Sequence, residues 1–153
     1  MPETTDTQSE IIDLGFDVSE ADVLRPVLQS GTYDFTIAST RKEPSRQKQI
    51  PQLLVVYRLA EPAVDSQGRT VNPGFTIIQR YLLQPTGGLT MEMIQRRIKE
   101  IHFAAAGEGK VTTEAWIGKV VRCRVNMREA HTDPVSGVEY GETNEIVRVM
   151  PKK

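Results

Sequence analysis

The sequence predicts a mainly β domain: a five-stranded barrel with one helix between strands 3 and 4. Short runs alternate apolar and polar residues with period 2, as at Tyr33, Phe35 and Ile37 and again at Val121, Cys123, Val125 and Met127. Helical spacing of apolar residues is convincing in one stretch, through Met91, Ile94, Ile98 and Ile101. Glycine and proline turn signals separate the runs, among them Gly31, Pro62, Pro73 and Gly87-Gly88.

Residues 1–29 read as an acidic, partly flexible arm and residues 30–153 as the folded domain. The first ten residues are rich in Thr, Ser, Gln and Glu and too polar to pack. Ser19 is a candidate cap for a short helical turn. The first strand follows Gly31. Residues 41–49, RKEPSRQKQ, read as a polar, basic loop containing Pro44. Residues 52–60, QLLVVYRLA, are apolar on nearly both faces and rich in β-formers, as a central strand should be. Residues 61–73 read as an exposed connection, and residues 74–83 as the third strand. The helix is predicted from Met91 to Ala106, with Thr90 as N-cap and Gly107 as its stop. Trp116 and Ile117 then lodge on the core, and Gly118 feeds a fourth strand. A long hairpin over 130–141 leads to the last strand, 143–150. Five strands with a helix after the third is the element order of the oligonucleotide-binding (OB) barrel.

Composition narrows the function classes. No apolar run approaches the roughly 20 residues of a membrane helix, and no secretory signal opens the chain. One cysteine, Cys123, excludes an intrachain disulfide framework, and a cytoplasmic location fits best. The net charge of −1 conceals an asymmetry: residues 1–30 hold seven acids against Arg25, and the remainder holds 18 bases and 13 acids. The acidic arm is either merely solubilising, or a competitor with anionic ligand for the basic face, or a docking segment for basic partners.

Catalytic constellations are missing from the pattern. His102 and His131 have no metal-ligand spacing, and Gly87-Gly88 lacks the flanks of a phosphate loop. Cys123 falls on the apolar row of its strand, which suits a buried thiol rather than a nucleophile. No paired carboxylates stand out, so the chain is expected not to be an enzyme and to need no metal or cofactor.

The most informative stretch is residues 119–129, KVVRCRVNMRE. One face of this strand is apolar, and the other displays Arg122, Arg124, Asn126 and Arg128. A row of guanidinium groups repels itself unless a polyanion or facing acids neutralise it. The bland alternative is a solvated sheet face with cross-strand partners such as Glu145. A non-specific single-strand binder pairs cations along a groove with plates on which bases stack. The further cations are Arg148, Arg80 and the loop residues Arg41, Lys42, Arg46 and Lys48; the candidate plates are Tyr57, Tyr81 and Tyr140.

Three stretches stand out: GTYDFTI at 31–37, the helix ending in Ala-Ala-Gly at 105–107, and WIGKVVRCRV at 116–125 with GETNEI at 141–146. Through them residues 30–150 resemble a family of small phage-encoded single-stranded-DNA-binding proteins. The resemblance implies an OB barrel, no cofactor and no catalysis. It also implies single-stranded DNA as ligand, action in replication or recombination beside proteins of those processes, and the cytoplasm of a bacterial host. A homo-oligomer is compatible with it, and a membrane partner is not. The chain departs from the family in ending Pro151-Lys152-Lys153 and keeping its acids at the front. An RNA-binding variant stays open, as does a structural or assembly protein that uses the sheet face as a protein interface.

Overall fold

The computed structural model describes residues 11–15, 26–45, 49–129, 131–132, 134–137, 139–140 and 143–152, with the backbone alone at 131, 139 and 140. Ser19 and its expected cap lie outside the described residues.

Five strands form one antiparallel sheet: β1 (Gly31–Pro44), β2 (Pro51–Leu59), β5 (Thr76–Leu82), β6 (Val120–Arg128) and β9 (Thr143–Pro151). Their order is β5-β2-β1-β6-β9. Two short hairpins accompany them, β3 (Ala63–Val64) with β4 (Thr70–Val71), and β7 (His131–Thr132) with β8 (Glu139–Tyr140). The single described helix is α1 (Met91–Ala106), and a 3-10 turn occupies Thr113–Trp116. No described helix is long and apolar enough to cross a membrane.

Two features of the predicted architecture need correction. No closed barrel forms among the described residues, because β5 and β9 are the two ends of the sheet and share no ladder. The helix does not lie between strands 3 and 4 of the chain. The connection read as exposed, 61–73, folds its own hairpin, so α1 follows β5. Asp65 organises that hairpin: its carboxylate accepts from the backbone N–H groups of Gln67 and Arg69 and from Arg69 Nε. Burial alone raises the Asp65 pKa, but these donors outweigh it and hold the carboxyl below its usual range.

The inward rows meet in one core containing Phe35, Ile37, Val55, Tyr57, Trp116, Val121, Cys123 and Val125. Leu28, which sequence assigns to the arm, is fully buried in that core. Its backbone N–H donates to Asn144 Oδ1, and Asn144 Nδ2 donates back to its carbonyl. The chain from Pro26 onward therefore belongs to the fold.

α1 begins and ends as its sequence dictates. Thr90 Oγ1 accepts from the Met93 N–H at 3.2 Å, and Gly107, with φ of 79°, closes the last turn onto Phe103. Ile94, Ile101 and His102 face inward, and Trp116 Nε1 donates to His102 Nδ1 at 2.9 Å, tying the helix to the 3-10 turn.

Glu100 and Gln79 reach the strand edge that a closed ladder would have satisfied. Gln79 Oε1 accepts from the Ile146 N–H and Glu100 Oε1 from the Val149 N–H, so side chains serve the exposed edge of β9.

Candidate nucleic-acid interface

Register decides which arginines share a face. Val121, Cys123 and Val125 point inward, so Arg122, Arg124, Asn126 and Arg128 line the outward face of β6. Opposite them stand Asp34 and Thr32 on β1, and Met150, Arg148, Glu145 and Thr143 on β9. Continuing across the sheet, Thr36 pairs with Arg58, and Leu54 lies in register between Arg41 and Arg80. Seven arginines therefore share the outward face: 41, 58, 80, 122, 124, 128 and 148.

Two β-bulges set this count. Between Ile37 and Ser39 the register shifts by one residue, so Ala38 is extra on β1. Plain alternation from Phe35 and Ile37 would turn Arg41 toward the core side; the bulge turns it outward. A second shift lies opposite Arg124 and Val125, where Val147 is the extra residue of β9. It lets Ile146 and Val149 both face the core while Arg148 faces out.

The seven are not equivalent. Arg122 Nε lies 3.1 Å from Asp34 Oδ1, and the Asp34 side chain is only 9% exposed, so this arginine is spent on the fold. Arg41 pairs with Glu43 at 3.1 Å, both on the surface. Arg148 lies 3.6 Å from Glu100, whose other oxygen caps the β9 edge. Arg58, Arg80, Arg124 and Arg128 are exposed and form no ion pair among the described residues. Arg124 stands directly across from Arg148, a like-charge cross-strand pair that costs stability unless an anion offsets it. Glu145, the alternative partner for the row, pairs in register with Asn126 instead.

The tyrosine plates are overturned. Tyr57 is 0% and Tyr81 7% exposed, both on inward rows, with their hydroxyls 2.9 Å apart. Burial, then each other's proximity, raises the Tyr57 pKa well above its ordinary value, and burial pushes Tyr81 up to about 12 despite the Arg97 guanidinium 5.7 Å from its ring centre. A base cannot stack on either ring. Tyr140 has its backbone in β8 and its side chain outside the described residues.

The basic loop is also redrawn. Arg41 and Lys42 belong to β1, which runs on to Pro44 opposite Pro51. Lys42 is exposed but pairs with Leu53, on the side opposite Arg41. Arg46 and Lys48 lie outside the described residues. Cys123 is buried as its strand row requires, and burial raises its thiol pKa, which keeps it protonated and unreactive.

Sequence reading did not nominate Arg58, Val56 or Ile78. Val56 and Ile78 pair across β2 and β5 on the outward face, with Ile78 44% exposed. An aliphatic strip thus lies between Arg58 and Arg80. Its signal was present in the alternation Gln52, Leu54, Val56, Arg58, but the apolar run hid which row faced out.

Among the described residues no three His, Cys, Asp or Glu side chains gather to hold a metal ion. No protein-family model and no curated protein matches the chain.

Proposed function

We propose that this protein is a non-enzymatic, sequence-independent single-stranded-DNA-binding protein acting in phage-type replication or recombination. The observation that carries the reading is a set of four exposed arginines on one outward sheet face, Arg58, Arg80, Arg124 and Arg128, which form no ion pair among the described residues. Arg124 and Arg128 are separated by about 13 Å along β6, so each takes its own phosphate. The resemblance of residues 30–150 to phage-encoded single-strand binders supports the same ligand. Apolar side chains between the arginines offer bases a surface without hydrogen-bond readout, which suits binding without sequence preference.

Titration of fluorescent oligo(dT) over a range of salt tests the reading. Four phosphate contacts on a single strand give a log–log slope of about −3. Affinity that ignores salt overturns it. A chain that ignores oligo(dT) and elutes as an oligomer belongs instead to the assembly class.

A further inference from the structure

The seam between β5 and β9 leaves a cleft. Neither strand ladders with the other, and Val27 stands at the gap between them. The cleft measures about 390 Å³, within the roughly 300–1,000 Å³ of small-molecule sites. Its walls include Pro26, Val27, Phe75 and Ile78, and Arg80 stands among its lining residues. Phe75 is half-buried and packed against the core, so its ring is held in place. With Tyr57 and Tyr81 buried, Phe75 is the aromatic ring that lines this cleft beside Arg80.

We propose that this cleft receives one base of a bound DNA single strand, with Arg80 holding a flanking phosphate, a site that presupposes the DNA-binding reading above. Charge complementarity selects the occupant. Arg80 is exposed and unpaired among the described residues, and Arg58 continues the positive face beyond the aliphatic strip. An uncharged apolar ligand would leave both guanidinium groups unused. Thr76, Thr143 and Asn144 are also in the wall; the Asn144 amide is engaged with Leu28, and threonine hydroxyls, which both donate and accept, do not by themselves select one base. Any base then fits, in keeping with sequence-independent binding.

Two variants test the site with fluorescent oligo(dT) at several salt concentrations. Phe75→Leu keeps the apolar filling but removes the flat ring; affinity should fall about tenfold with the salt slope unchanged. Ile78→Tyr adds a plate at the exposed wall and should tighten binding about tenfold, a gain that a misfolded variant cannot mimic. If the parent protein binds with the expected slope and neither variant changes affinity, the base site is overturned while DNA binding stands. If the parent protein itself fails to bind, the broader reading falls and takes this site with it.

Discussion

The two halves of the outward sheet face carry similar charge in different surroundings. On the β2–β5 half, Arg58 and Arg80 flank aliphatic Val56 and Ile78, and a cleft with both apolar and polar walls opens beside them. On the β6–β9 half, Arg124 and Arg128 sit among Thr32, Asn126, Thr143 and Glu145, and their neighbours Arg122 and Arg148 answer to Asp34 and Glu100. On the proposed DNA-binding reading, the first half would hold both phosphate and base, and the second phosphate alone. Charge is therefore a poor guide to which arginines matter, because two of those on β6 and β9 are already committed to the fold's own acids.

The largest expected effect separates the halves directly. Arg58→Ala with Arg80→Ala should weaken oligo(dT) binding at least about a hundredfold, because each charged contact contributes roughly 1.5–3 kcal/mol. Arg124→Ala with Arg128→Ala should shift the salt slope equally, by about 1.4, yet cost less affinity at every salt concentration, because neither arginine holds a phosphate beside the proposed base site. Equal losses for both pairs at every salt concentration would erase the contrast.

A smaller effect comes from freeing a committed arginine. Asp34→Asn removes the partner of Arg122, whose side chain is 38% exposed, so solvent screening limits the stability loss to about 1 kcal/mol. The liberated guanidinium should steepen the salt slope by about 0.7 and tighten binding a few-fold. Thermal melting and titration of the one variant read both changes. Weaker binding by a folded Asp34→Asn protein would place Arg122 outside the phosphate track.

The smallest effect on DNA belongs to the buried tyrosines. Tyr81→Phe leaves the Tyr57 hydroxyl without its 2.9 Å partner and should cost about 1–3 kcal/mol of stability while leaving oligo(dT) affinity unchanged. The Tyr81 pKa rises from 10.0 to about 12 on folding. The unfolded chain thus loses its proton first, and stability should fall as pH rises from 10 to 12. The variant should show a shallower alkaline decline in denaturant midpoints; an identical decline would mean that the pair does not control it.

Elements governed by local chemistry were legible in the sequence. Met91–Ala106 follows from its cap, its apolar spacing and its glycine stop, all within one stretch of chain. The inward row of β6 follows from strict alternation and puts Cys123 in the core, where Trp116 of the 3-10 turn is also buried. That three arginines share one face of β6 was likewise fixed by period 2.

The tertiary structure decided everything that depends on pairing. A one-residue bulge at Ala38 or Val147 reverses side-chain parity, and nothing in the local pattern announces it; yet these bulges turn Arg41 and Arg148 outward. Tyr57 and Tyr81 stand beside arginines in the sequence, but their rows meet in the interior, where two hydroxyls satisfy each other. Asp34 and Arg122 are 88 residues apart, and only the β1–β6 ladder makes them a pair. Alternation is a property of neighbours along the chain, whereas charge neutralisation and closure of a sheet are properties of neighbours in space.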